Sequence, residues 1–365
     1  MSSIFDNRKV LFRKTARSAL FHVLSSARKK IGTTKVLVPS FCCPSVYLSV
    51  LFSKCEPILV DVDLKNYSLL LVDLAHKLDA ETLAVIYPHM FGINGIKSHQ
   101  NLDILRKKFP NTIWIEDACQ TFGNNTSFKK NLGSSLDFGL YSCDPVKPIK
   151  GSMGYIIQFN DSTILGDILE IAKESEKFAI TESRLAELKR FETSFFTSIV
   201  SYCRLSRQSA PKIKNINILE DLYLDNECPN KEIFSTSKKE IELSEKVDQK
   251  KNNSLFKLFS EKLELLNISQ LSPYSITVDD MIWRYPVVVS DADLAFDLSD
   301  VLRSRKINCS NHYYSICKIF SVSKFNCKNS IYLSDRILNF WFVSKEEVEI
   351  TIDLIKRFFD DKCGN

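Results

Sequence analysis

Four short, mostly apolar runs, each followed by a segment long enough for a helix, set what the first third of this chain can become. They are VLVP (Val36 to Pro39), PILVDVD (Pro57 to Asp63), LAVIYP (Leu83 to Pro88) and TIWIED (Thr112 to Asp117). Thr15 to Lys30 reads as an amphipathic helix, with Leu20, Val23, Leu24 and Ala27 on one face and Gly32 placed to end it. Helices are also expected at Pro44 to Phe52, near Val72 to Leu78, and at Asn101 to Phe109. Strands that are apolar on both faces, alternating with helices, predict a mostly parallel sheet sandwiched by helices. Such sheets bind ligands beyond the carboxyl ends of their strands. Ser40, His89, Asp117 and Ser142 all fall at or just past strand ends, so they are expected on one rim. The N-terminus of the Thr15 helix offers free amides to a phosphate there. Thr15, Arg17 and Ser18 would add side-chain donors, although ordinary helix capping explains these three equally well.

The pattern changes after Gly154 to Ile157. Charged, helix-forming sequence runs from Thr163 to about Arg207, and the Asn-, Lys- and Asp-rich stretch Ser209 to Lys238 reads as a linker or surface excursion. A helix at Lys239 to Leu265 leads into a strand at Ile282 to Val289. Ser290 to Asp293 resembles a capping box for a helix ending near Arg305. The last helix begins at Ser344, with Glu347 three residues on and Val348, Ile352, Ile355 and Phe359 on its buried face. The 365 residues suit two domains at about 150 each. We expect a large one at 1–238 and a smaller α/β domain at 239–365.

The net charge of +5 is dispersed, and short clusters such as Arg28-Lys29-Lys30 read as solvated helix ends rather than a nucleic-acid surface. Eleven cysteines without CxxC or Cys/His metal spacing read as reduced thiols. The first residues lack a secretory signal's apolar core, and no segment approaches about 18 uninterrupted apolar residues. A soluble, cytoplasmic protein is expected.

The chemistry concentrates between Ile115 and Tyr155, in IEDACQTFG and DFGLYSCDPVKPIKGSMGY. Asp117, Ser142 and Lys147 suit pyridoxal phosphate (PLP). A lysine amine joins the cofactor aldehyde, a carboxylate keeps the pyridine nitrogen protonated, and a hydroxyl binds the phosphate. Taken singly, Asp117 could be a strand-end polar residue or helix cap, Ser142 a turn serine before Asp144-Pro145, and Lys147 a surface lysine with Lys150 as a near rival.

Several collinear segments resemble the DegT/DnrJ/StrS family of PLP-dependent nucleotide-sugar aminotransferases, which have the aspartate-aminotransferase (type I) fold. TARSAL (Thr15 to Leu20) resembles the SGTxAL-type phosphate loop, VLVPSFCCPSV resembles VIVPSFTFVAT, and EPILVDVDLKNYSL resembles the PVFVDVDPDTYNI stretch. AVIYPHMFG resembles AIIPVHLYG, IEDACQTFG is close to IEDAAQAHG, and FGLYSCDPVKPI resembles FSFYPTKNL. WRYPVVV, INCSNHY (Ile307 to Tyr313) and VSKEEVEITIDLI are similar to small-domain signatures.

By position, the resemblance implies that Lys147 carries the cofactor and shuttles the substrate proton, and that Asp117 pairs with the pyridinium nitrogen. Gln120 would lie near the ring and its phenolic oxygen, Ser142 on the phosphate, and Arg17 and Ser18 at the phosphate loop. Burial is expected to lower the basicity of Lys147. The departures are Ala16 for the loop glycine, Cys43 where an aromatic ring usually covers the cofactor (unless Phe41 or His89 substitutes), and GSMGYI for AGEGGxV. LNFWF replaces an LPL-type strand, and the GxNxR segment that reaches a neighbouring subunit is not recognisable. The implied activity moves an amino group from glutamate to a nucleotide-linked keto-sugar, in a cytoplasmic homodimer supplying surface polysaccharides such as O-antigen or glycosylated natural products. Two alternatives stand beside it. One is a degenerate homologue that binds a nucleotide sugar or partner without turnover. The other is a PLP-dependent sugar dehydratase, which Lys147 opposes because histidine typically replaces that lysine there.

Overall fold

The apolar runs form the middle of a seven-stranded sheet, in a computed structural model that describes residues 5, 7–96, 100–121, 132–160, 165–175, 178, 180–206, 209–210, 216–225, 227–244, 249–277 and 280–363. Its strands are β1 (Val10–Arg13), β2 (Lys35–Pro39), β3 (Glu56–Val60), β4 (Thr82–Pro88), β5 (Ile113–Asp117), β6 (Phe138–Cys143) and β7 (Met153–Gln158), in the order β1-β7-β6-β5-β4-β2-β3. The pairs from β3 across to β6 are parallel, while β7 runs antiparallel to both β6 and β1. β4 and β5 are buried throughout, as continuous apolar strands between helical layers must be.

Local chemistry sets the helix ends. α1 (Ala16–Ile31) is capped by Thr15, whose Oγ1 accepts from the Ser18 N–H at 3.3 Å. It stops at Gly32, in the left-handed region at φ 88° with its N–H on the Arg28 carbonyl. α2 (Pro44–Phe52) carries its proline in the first turn, where no helical N–H is lost.

A second, wholly antiparallel sheet contains β8 (Leu271–Pro273), β9 (Tyr285–Val289), β10 (Cys309–Ser310) and β11 (Ile337–Phe340), in the order β10-β11-β9-β8. Phe259, Tyr285, Leu298, Phe340 and Ile355 share its core. Val348, Ile352, Ile355 and Phe359 are all buried on the final helix, Lys345–Cys363.

Four expectations need correction. The strand foreseen from Ile282 starts at Tyr285, because Met281 and Trp283 instead donate their N–H groups to the Gly92 and Phe91 carbonyls, both at 2.8 Å. The cap of helix Ala292–Ser304 is Asp291, accepting from the Asp293 and Leu294 amides, rather than a Ser290 box. The region foreseen as helical from Thr163 contains two helices, Ile168–Lys173 and Glu182–Ser206; Thr163 and Arg207 lie outside the described residues. The helix foreseen at Lys239 to Leu265 is two, Lys231–Ser244 and Gln249–Leu265. Within the stretch Ser209 to Lys238, Leu219, Leu222 and Tyr223 are buried in the main core. Among the described residues no His, Cys, Asp and Glu cluster could hold a metal, and no helix is long and apolar enough to cross a membrane.

One carboxylate ties the chain's beginning to its end. Asp61, just after β3, accepts from the Asn329 and Ser330 amides at 2.9 and 3.0 Å, and so caps the helix Lys328–Arg336, whose own N-cap Cys327 makes no side-chain cap. Asp61→Ala is expected to lower stability by about 2 kcal/mol, since two orphan helix amides lose their acceptor. A urea midpoint identical to that of the native chain would show that the cap contributes nothing.

Candidate active site

β5 and β6 are adjacent and parallel, so the ends of both meet on one rim. Asp117 is the last residue of β5 and is buried at 9 % exposure, with Oδ1 accepting from the Cys119 N–H at 3.1 Å. Beyond β6, Asp144 folds the chain back: its carbonyl accepts from the Lys147 N–H at 2.9 Å and its Oδ1 from the Val146 N–H at 3.1 Å. That turn presents Lys147. Its Nζ lies 5.2 Å from the Trp283 ring centroid and has no ion-pair partner among the described residues. Burial pulls the pKa of Lys147 down, as expected, but the neighbouring Tyr313, Cys119, Cys43 and Asp117 outweigh it, and the net shift is upward. Lys150, the sequence rival, is exposed and donates to the Pro145 carbonyl at 2.8 Å.

A second group of atoms suits a phosphate. Ser142 pairs in register with Gly154 of β7. A Cβ on Gly154 would lie 1.9 Å from the Ala16 nitrogen and 2.3 Å from the Thr15 carbonyl carbon, so the first turn of α1 rests directly on this hairpin. Ser142 and the first-turn amides therefore converge beside the Asp117 and Lys147 rim. This donor set fits a cofactor that carries a phosphate, a protonated ring nitrogen and an aldehyde.

Other foreseen residues are engaged elsewhere. The Arg17 guanidinium is paired with Glu192 of helix Glu182–Ser206 and lies 5.6 Å from the Tyr223 centroid; burial would depress its pKa, but Glu192 raises it. The Ser18 hydroxyl donates to the Asp225 carbonyl. His89 is wholly buried with Nε2 2.8 Å from Glu116 Oε2, and Glu116 also accepts from the Gly133, Ser135 and Leu136 amides. Gln120 accepts from the Phe91 N–H at 2.8 Å and donates to Met90 Sδ, so it braces the turn after β4. Phe41 is fully buried, 6.4 Å from the Phe91 ring. Cys43, half-buried, remains on the cavity side.

Sequence reasoning missed three groups at the rim: Trp283 and Tyr313 beside Lys147, and Glu192 beside Arg17. The WRYPVVV and INCSNHY motifs contained two of them, but as marks of a second domain. A cavity of about 190 Å³ opens here, lined by Cys43, Ser45, Glu192, Phe196, His312 and Tyr313 among others.

Residues 7–184 match the family model of the DegT/DnrJ/EryC1/StrS aminotransferase family. That match spans just under half of the chain and supports a PLP-dependent aminotransferase. No curated protein sequence matches the chain. Among solved structures, the sugar aminotransferase CalS13 from Micromonospora echinospora is similar at TM-score 0.67 and 16% identity, over 95% of this chain and 87% of that one. A DegT DnrJ EryC1 StrS aminotransferase from Brucella abortus gives TM-score 0.64 and 17% identity, over 96% and 85%. The GDP-4-keto-6-deoxy-D-mannose-3-dehydratase of E. coli gives 0.63 and 14%, over 94% and 87%. These likenesses establish the fold, that of PLP-dependent aminotransferases.

Gly154→Ala should push the first turn of α1 off the hairpin and weaken PLP binding about tenfold or more, which is about 1.4 kcal/mol. Titration by fluorescence quenching checks this, with far-UV circular dichroism confirming the fold; unchanged affinity would place the phosphate elsewhere.

Proposed function

We propose that this chain, an aminotransferase of the DegT/DnrJ/EryC1/StrS family by its residues 7–184, moves an amino group from glutamate to a nucleotide-linked keto-sugar. The observation that carries the reading is the half-buried Lys147 amine, without an ion-pair partner among the described residues, facing Asp117 at the ends of β5 and β6. PLP, when bound, supplies an aldehyde for that amine and a ring that withdraws electrons from the substrate carbon. Asp117 would hold the proton on the ring nitrogen, and Ser142 with the α1 amides would hold the phosphate. Lys147 Nζ would take the proton from the donor carbon and return it on the acceptor side. The reading includes a cytoplasmic homodimer serving surface polysaccharide or related amino-sugar synthesis, a context that rests on the family resemblance.

Loss of turnover is the reading that competes. It is favoured by the commitment of Arg17 to Glu192 and of Ser18 to Asp225, which removes two side chains from the phosphate. A dehydratase is opposed by Lys147. Borohydride reduction of the protein mixed with PLP, followed by peptide mass mapping, separates these. A label on Lys147, absent in Lys147→Ala, supports the aminotransferase. A label on Lys150 would relocate the site, and folded protein with no label would favour the non-catalytic binder.

Asp117→Asn should keep PLP bound while slowing amino transfer by about a hundredfold or more. Undiminished transfer with glutamate and a keto-sugar would refute the role given to Asp117.

A further inference from the structure

Beside Lys147 stands a second cation that no carboxylate neutralises among the described residues. The Arg284 guanidinium carbon lies 4.2 Å from the Trp283 ring centroid and 4.5 Å from that of Trp341, so two indoles fix its plane. Its hydrogen bond is one long contact, from Nη1 to Asn339 Oδ1 at 3.4 Å. Asn339 is itself fixed, donating through Nδ2 to the Ser310 and His312 carbonyls. Burial pulls the Arg284 pKa below the ordinary arginine value, with Tyr313 opposing the shift. A guanidinium stays charged regardless, and most of its five N–H donors are unspent among the described residues.

Its position relative to the reacting amine gives that edge a purpose. The Trp283 ring that Arg284 touches is the same ring that Lys147 Nζ approaches at 5.2 Å, and Tyr313 interacts electrostatically with both cations. Arg17, the other arginine near the cavity, is already neutralised by Glu192. A molecule that reacts at Lys147 therefore has, against the same indole, one pre-oriented cation with no carboxylate partner among the described residues. An amino-acid donor carries a carboxylate on the reacting carbon, whereas a keto-sugar ring carries none. A planar guanidinium edge matches a carboxylate with two parallel hydrogen bonds.

We propose that Arg284 binds a carboxylate of the amino-acid donor, with Trp283 and Trp341 holding its plane and Asn339 holding its edge. This rests on the aminotransferase reading. It also gives the small-domain segment WRYPVVV and the departure at LNFWF a common role, since both indoles, Arg284 and Asn339 come from those two segments.

The test is calorimetric titration of the PLP-equilibrated protein with glutarate, an unreactive dicarboxylate, and separately with uridine diphosphate. Arg284→Met should weaken glutarate at least tenfold and leave uridine diphosphate unchanged. Arg284→Lys should retain part of the affinity. Trp341→Leu, which keeps the charge but removes one wall, should weaken glutarate severalfold even if Arg284→Met folds poorly. Native affinity for glutarate in Arg284→Met, no glutarate binding by the native protein, or loss of uridine diphosphate instead would each overturn the proposal. Borohydride labelling of Lys147 reports separately on the underlying reading: absent label with Arg284-dependent glutarate binding would drop the transaminase and keep the anion site. Label with Arg284-independent glutarate binding would do the reverse.

Discussion

Two backbone hydrogen bonds join the halves of the candidate active site: Met281 N–H to the Gly92 carbonyl and Trp283 N–H to the Phe91 carbonyl. They clip the segment before β9 to the turn after β4, and so bring Trp283 and Arg284 to a rim otherwise built by the seven-stranded sheet. The turn tolerates little variation. Gly92 has φ +82°, and a Cβ there would lie 2.0 Å from the Met281 carbonyl oxygen. Gln120 holds the same turn through the Phe91 amide. Its contribution is to position the small sheet's residues against the large one.

The rim also depends on adjacent carboxylates with opposite duties. Glu116 and Asp117 follow one another on β5, so their side chains leave opposite faces of the sheet. Glu116, fully buried, spends its oxygens on three loop amides and His89, which fixes the chain leading into β6. Asp117 keeps its contact with the Cys119 amide and is one of the groups that raise the Lys147 pKa. Burial alone would favour a neutral amine at Lys147, and the surrounding groups reverse that preference.

Features set by neighbours in the chain were legible in the sequence. Continuous apolar runs announced β2, β4 and β5, Gly32 and Pro44 marked helix ends, and Asp117 and Ser142 were placed at strand ends. What was not legible depends on contacts far apart in the chain. Nothing local to IWRYPVVV says that its first residues leave the strand to bond with the turn after β4. Ser18 and Arg17 read as phosphate ligands until Asp225 and Glu192, each more than 170 positions away, are seen to occupy them. His89 was placed correctly at a strand end, but the sequence could not say which face its ring would take. The arrangement around Arg284 was not visible, since WRYPVVV stood out only as a small-domain signature and LNFWF only as a departure from one, and each segment contributes one part of an arrangement that exists only once both have folded.

The Asp61 cap has a consequence for the order in which the molecule can be completed during synthesis. All seven strands of the large sheet have been made by Gln158. The core behind them still lacks Ile316, Cys317, Cys327, Leu333 and Ile337, and Asp61 still lacks the helix amides it will accept from. A nascent chain must therefore hold a nearly finished sheet with an open apolar flank while some 180 further residues emerge, a span in which the flank is exposed to other chains and chaperones. The segment from Ile316 to Ile337 acts as a closing piece, and the large sheet acquires its finished core only when that segment arrives.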